Sequence, residues 1–208
     1  MKLQDMTISG FCAETISNSP APGGGSVAAL CGALSASLTG MVASLTLGKK
    51  GYESLDGKMQ AVKEQALFLQ QALIQAIDED AASFNGYMAA LKLPKDTEEQ
   101  KAARKAALQQ GLKEAAMVPL RTAELASEIF PMAAFVVEHG NKNALSDGLV
   151  SAMTARTAIL SALLNVRINL SSIKDEAFTA SMAQRCRELE KLALEQEAKI
   201  LALAPELS

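Results

Sequence analysis

No charged residue occurs between Glu14 and Lys49, and a stretch of that kind must be either buried in protein or placed in a membrane. Residues 27–47 are apolar for long enough to span a bilayer. They also carry Ser35, Ser37, Thr39, Ser44 and Thr46 among many alanines, and no basic residue flanks them on the N-terminal side. A charge-oriented insertion fits that pattern poorly. The expectation is therefore a buried helix of a soluble chain, with no membrane as partner. Gly32, Ala36 and Gly40 recur every four residues, which lines small residues along one side and lets another backbone approach closely.

The rest of the chain also reads as helix. Of 208 residues, 49% are hydrophobic and 21% charged, which excludes wholesale disorder, while only 4% are aromatic. The apolar bulk then comes from Ala, Leu, Val, Ile and Met, and small or unbranched side chains favour helices. A short amphipathic piece covers Thr7–Ser17. A long pattern over Lys58–Leu91 has apolar positions at 62, 66, 69, 73 and 76, then 84, 87 and 91. Asp78 and Glu79 point away from that stripe, towards solvent. Thr97 is placed to cap a helix that Pro119 should kink or interrupt, and Pro131 should act likewise. Ser146 is placed to cap a helix to about Leu170, and Asp175 begins the last one. Residues 1–208 thus predict one all-α domain of about seven helices in a long antiparallel bundle. A helix apolar on every side needs more cover than a few neighbours provide, which predicts a dimer with this helix near the interface.

Several functions are disfavoured at once. Net charge is −3 and the longest basic run is Lys49–Lys50, so no stripe suited to nucleic acid is present. Cys12, Cys31 and Cys186 are odd in number and far apart, and His139 is the single histidine. Neither a disulfide framework nor a metal site is expected. The first residues lack an apolar signal core, so a cytoplasmic setting is expected.

Four groups of residues remain that can carry chemistry. Gly23, Gly24 and Gly25, followed by Ser26, precede the apolar helix; their amides and the helix dipole suit an anion or oxyanion, or else form a flexible turn that Ser26 caps. Asp80 continues the buried stripe of the long helix, where it is either tuned for proton transfer or paired with a cation. Asn141, Asn143, Ser146 and Asp147 lie in a polar turn and first helical turn; they cap a helix or hold a polar heterocycle. Asn165 and Asn169, four apart on one face, serve as interhelical glue or as ligand contacts. Lys49 and Lys50 sit at the negative end of the apolar helix, which is a sufficient structural reason for both.

Taken in order, the segments PAPGGGSVAALCGALSASLTGMVASLTLGKKGY, Asp80 with Phe84, Leu93-Pro94-Lys95, Val118-Pro119-Leu120, GNKNALSDG and LNVRINL resemble the cyclodeaminase/cyclohydrolase family. The resemblance runs from about residue 7 to about 175. It implies an all-helical homodimer acting on a one-carbon unit carried by tetrahydrofolate, without a cofactor. Cyclodeaminases close 5-formiminotetrahydrofolate to 5,10-methenyltetrahydrofolate and release ammonia; cyclohydrolases open the methenyl ring with water to a formyl group. On that resemblance Asp80, with Asp147, is the catalytic candidate. Gly23–Gly25, Ser26, Lys49, Lys50, Asn141, Asn143, Asn165 and Asn169 are the substrate-binding candidates, Asp147 and the four asparagines for the pterin edge or for ordering the catalytic group. The competing class is a non-enzymatic helical interaction protein, in which the glycines are a turn and the asparagines are glue.

Overall fold

The computed structural model describes residues 2–207. Its α-helices are α1 (Ile8–Thr15), α2 (Gly24–Thr46), α3 (Asp56–Leu91), α4 (Glu98–Ser127), α5 (Ile129–His139), α6 (Leu145–Leu170) and α7 (Glu176–Leu201). The first is short, and the six longer ones build a single all-α domain.

The apolar helix α2 lies between α3 and α6, antiparallel to both. Along α3 its partners run backwards, from Ser26 against Ile77 to Gly32 against Leu73 and Gly40 against Ala66. Along α6 they run from Gly24 beside Asn165 to Gly32 beside Ala158 and Ser35 beside Ser151. The small-residue line is what permits this: a Cβ on Gly32 would stand 3.0 Å from Leu73 Cδ2. Leu69 and Leu73 of α3 are completely buried by the approach, and truncating either to alanine costs about 2–5 kcal/mol. Inside the α2–α6 seam, Ser35, Thr39 and Ser151 are all fully buried and bonded to one another, with Ser35 Oγ 2.8 Å from the Ser151 carbonyl oxygen that accepts from it and Thr39 Oγ1 2.7 Å from Ser151 Oγ.

Both helices that are long and apolar enough to cross a bilayer, 24–46 and 142–170, are core helices of this bundle. Neither is enclosed on every side: Leu34, Met41 and Leu45 of α2 remain exposed.

Helix ends follow the local chemistry with instructive exceptions. Thr97 caps α4 through a reciprocal box with Gln100, and Asp175 caps α7 by accepting from the Phe178 amide. Ser146 does not cap α6, which starts one residue earlier at Leu145 out of a short 3-10 turn, Lys142–Ala144. Ser26 is not the cap of α2 either; Gly23 holds that position. Asp78 is not turned to solvent: it accepts the Leu3 amide at 2.8 Å and pins the N-terminal turn to α3. Pro131 falls in the first turn of α5, where a missing N–H costs nothing.

Pro119 does not break α4, which continues unbroken to Ser127. Its ring leaves the carbonyl of Ala115, four residues earlier, without a helical donor. Asn169 of α6 supplies one, its Nδ2 lying 3.0 Å from Ala115 O.

Candidate active site

Where α2 begins, four segments converge on a cavity of about 330 Å³. The loop before α2 contributes Pro20, Ala21 and Gly23–Gly25; α3 contributes Asp80, Ser83 and Phe84. Ala115 of α4 and Asn165, Ile168 and Asn169 of α6 complete it.

Asp80 is the ionisable group of the lining. It is held by the first turn of α2: Ser26 Oγ donates to Asp80 Oδ2 at 2.9 Å, and the Ser26 amide adds a second bond. The Ser26 hydroxyl also lies 3.1 Å from the Ile77 carbonyl. Ser26 itself is fully buried and does not line the cavity, so its hydroxyl is committed to the carboxylate. Gly25 lets the carboxylate come this close, because a Cβ there would meet Oδ1 at 2.0 Å. Burial pushes the Asp80 carboxyl above the usual carboxylate range, and the two Ser26 bonds pull against that without cancelling it. The helix terminus orients the acid, and desolvation keeps it basic enough to exchange a proton.

On the opposite wall, Asn165 Nδ2 donates to Ser161 O at 2.9 Å while its side chain lies against Gly24. Asn169 Nδ2 spans Ala115 O and Asn165 O, at 3.0 and 2.8 Å. Asn169 thus spends both of its N–H donors on backbone and Asn165 one of its two, which leaves the two amide oxygens as acceptors and one Asn165 N–H as a donor for a ligand. Among the described residues, no three His, Cys, Asp or Glu side chains converge as metal ligands.

The structure gathers Asp80, Gly23, Gly24, Gly25, Asn165 and Asn169 into one pocket, with Ser26 behind it. It does not bring Lys49, Lys50, Asn141, Asn143 and Asp147 there within one chain. They stand at the other end of α2, about 34 Å away for 23 residues of helix. At that end Asn141 is buried: its amide donates to Thr46 Oγ1 at 2.9 Å, its side chain donates to Leu45 O at 3.1 Å, and its Oδ1 accepts from Lys49 Nζ and from the Asn143 amide. Asp147 lies in the first turn of α6 beside this cluster. Sequence reasoning missed Ser83, Ala115 and Ile168. Ser83 and Phe84 share a face with Asp80 by helical spacing, whereas Ala115 was signalled only by the proline four residues on.

The family described as formiminotransferase-cyclodeaminase matches residues 7–188. A methenyltetrahydrofolate cyclohydrolase of Methylorubrum extorquens is 40% identical over 91% of this chain and 89% of its own length. The formimidoyltransferase-cyclodeaminase of Sus scrofa is also 40% identical, over 92% of this chain, but the chain spans only 35% of that protein. In three dimensions the chain is similar to the crystal structure of formiminotetrahydrofolate cyclodeaminase from Thermotoga maritima, with a TM-score of 0.88, 29% identity and 99% of both chains covered.

Proposed function

The chain belongs to the formiminotransferase-cyclodeaminase family, a family of folate one-carbon enzymes, and from that premise we propose that its pocket closes 5-formiminotetrahydrofolate to 5,10-methenyltetrahydrofolate with release of ammonia. The observation that carries this reading is the half-buried Asp80 carboxylate in the cavity wall, fixed by the first turn of α2 and raised in pKa. Ring closure makes one bond, from N10 to the formimino carbon, and breaks another, from that carbon to the departing nitrogen. N10 must lose a proton as it attacks, and the nitrogen must gain one before it leaves as ammonia. A single carboxylate between the two can take the first proton and deliver the second. Asn165 and Asn169 face the same space with their amide oxygens, which suits the donor-rich edge of a pterin, and the amides of Gly23–Gly25 suit a polar oxygen of the substrate.

A second reading is favoured by the Methylorubrum relative, which matches nearly end to end and is a cyclohydrolase. In that reaction water adds to the methenyl carbon, Asp80 accepts the proton from water, and the same side chain returns it to N5 as the carbon–N5 bond breaks and leaves the formyl group on N10. Chain length does not separate the two, since the Thermotoga cyclodeaminase also matches end to end.

The test uses the purified chain with each substrate, following the methenyl chromophore and free ammonia together. Appearance of the chromophore with one ammonia per turnover from the formimino substrate is the expected result. Loss of the chromophore from the methenyl substrate, with no turnover of the formimino one, replaces this reading with the cyclohydrolase.

A further inference from the structure

Two of the helices that wall the Asp80 cavity run on past it, while α2 starts there. Beyond Phe84, α3 continues to Leu91, and α4 begins at Glu98 before it reaches Ala115. On that part of α4, Leu108, Arg104 and Lys101 precede Ala115 by 7, 11 and 14 residues. At 3.6 residues per turn all three point within about 40° of its direction. On α3, Phe84, Met88 and Leu91 form a second stripe, spaced by four and three and exposed at each position. Leaving the cavity, the two stripes are apolar first and cationic from about 16 Å along α4.

There the first turns of α4 and the segments after α3 and α6 enclose a groove of about 440 Å³. Its walls carry Lys95, Lys101, Arg104, Lys105 and Lys174, and no acid. Lys101 is paired with Glu98 at 2.7 Å, but the other four form no ion pair among the described residues. Two of them are fixed from behind. Arg104 Nη2 donates to the Leu91 carbonyl at 3.1 Å, while its Nε is buried without a partner. Gln109 ties the turn that carries Lys174 to α4: its Nε2 donates to Ser172 O at 3.0 Å, and its Oε1 accepts from the Lys174 amide at 2.8 Å. Like charges gathered this closely repel one another, although a chain of net charge −3 has acids enough to neutralise them. A polyanion lying among them turns that repulsion into attraction. The Asp80 cavity, in contrast, has one acid and no cation among its lining residues, so it offers no partner for the glutamate carboxylates of a folate.

We propose that the groove lined by Lys95, Arg104, Lys105 and Lys174 seats the γ-linked glutamate carboxylates of a folate whose one-carbon unit reacts at Asp80. This rests on the folate reading above and adds to it the form of folate the chain prefers. The benzoyl ring carries the tail about 7 Å from N10, and each γ-linked glutamate then spans about 6 Å, an ordinary residue's reach plus two methylenes. A monoglutamate therefore ends near Leu108, about 10 Å along α4 from Ala115. The second and third glutamates reach the levels of Arg104 and Lys101, about 16 and 21 Å along. Met88 and Leu91 underlie the ring and the methylenes on the way.

The experiment measures KM for the mono- and the triglutamate of whichever one-carbon folate the full-length chain turns over. In wild type the triglutamate is expected to have a KM about ten-fold lower, an advantage that fades between about 0.05 and 0.5 M salt. Arg104→Met, and separately Lys105→Met combined with Lys174→Met, should each cut that advantage to about three-fold or less. The second pair touches no side-chain hydrogen bond of the fold, which separates lost recognition from misfolding. The ratio of the two KM values is read within each protein, so a general loss of activity cancels. Lys191→Met, which removes one charge from α7, should keep the wild-type ratio. Equal KM values in wild type, or a ratio unmoved in either groove variant, overturns the groove and leaves the folate reading standing. A wild-type chain that turns over neither the formimino nor the methenyl folate overturns the folate reading, and the groove's assignment falls with it.

Discussion

The carboxylate of Asp80 occupies the space that a side chain at residue 25 would take: a Cβ on Gly25 would lie 2.0 Å from Oδ1 and 2.8 Å from Oδ2. The glycine is thus required by contact with the acid and not by its own backbone, since the positive φ angles fall at Gly48 and Gly51. Gly25→Ala must push the carboxylate away from Ser26, and a displacement of about 1 Å at a reacting group costs about 100-fold in rate. Gly57→Ala is the control, because it lies outside the cavity lining and its Cβ would meet nothing within 4 Å. Steady-state kinetics should show the first variant crippled and the second within a few-fold of wild type. Equal losses in both would refute a steric origin.

Asp80→Asn removes the proton acceptor and keeps the shape, so turnover should fall by about 10²–10⁴. Its stability should move the other way. Burial raises the Asp80 pKa, so the folded chain holds this proton more tightly than the unfolded chain does. The group's stabilisation is then complete below the unfolded carboxylate pKa, about 4, and is lost as pH rises through the folded value. Asparagine carries no such penalty. The variant should melt above wild type at pH 7–8, and the difference should vanish near about pH 4. A lower Tm at pH 7 would mean that an unrecognised cation supports the charge.

Ser26→Ala deletes the hydroxyl that donates to Asp80 at 2.9 Å. That bond lowers the carboxyl pKa, so its loss lets burial push the pKa higher still. The acid limb of the kcat/KM profile should shift to higher pH, while the plateau stays within about ten-fold of wild type. A profile superimposable on wild type would remove Ser26 from the tuning of the acid.

Pro119 and Asn169 make a linked pair. Pro119→Ala restores an N–H able to bond Ala115 O within α4, in competition with the Asn169 amide now 3.0 Å from that oxygen. Freed from its anchor, Asn169 should hold substrate less well, which appears as a rise in KM of several-fold with kcat nearly unchanged. The helix itself should gain, since proline is disfavoured in helix interiors. A variant with both KM and Tm unchanged would show that the carbonyl is not contested.

At the far end of α2, Thr46→Val leaves the buried Asn141 amide without its acceptor at 2.9 Å. The expected cost is about 1–3 kcal/mol, read by urea denaturation. A loss under about 0.5 kcal/mol would mean that water or a shifted turn replaces the hydroxyl.

Much of the pocket was legible in the sequence because it is written in helical period. The stripe at 62, 66, 69, 73 and 76 arrives at Asp80, and four-residue spacing couples Asn165 to Asn169. What misled was treating motifs close in resemblance as close in space. Gly24 and Lys49 flank one uninterrupted helix, and its rise alone keeps them about 34 Å apart in a chain. Other features were hidden because they depend on tertiary partners. Asp78 reads as a surface acid until the N-terminal turn folds over it, and Pro119 reads as a break until Asn169 takes up the stranded carbonyl.

The hydroxyls of Ser35, Thr39 and Ser151 act as a notch that fixes how far α6 can slide along α2. A slip by one turn, about 5.4 Å, would unpair all three and carry Asn165 away from Gly24 by the same amount. The aim of the reacting groups is thus set partly in the dry middle of the bundle, far from any solvent, and a change that merely loosens that notch should blur the chemistry at the rim before it melts the protein.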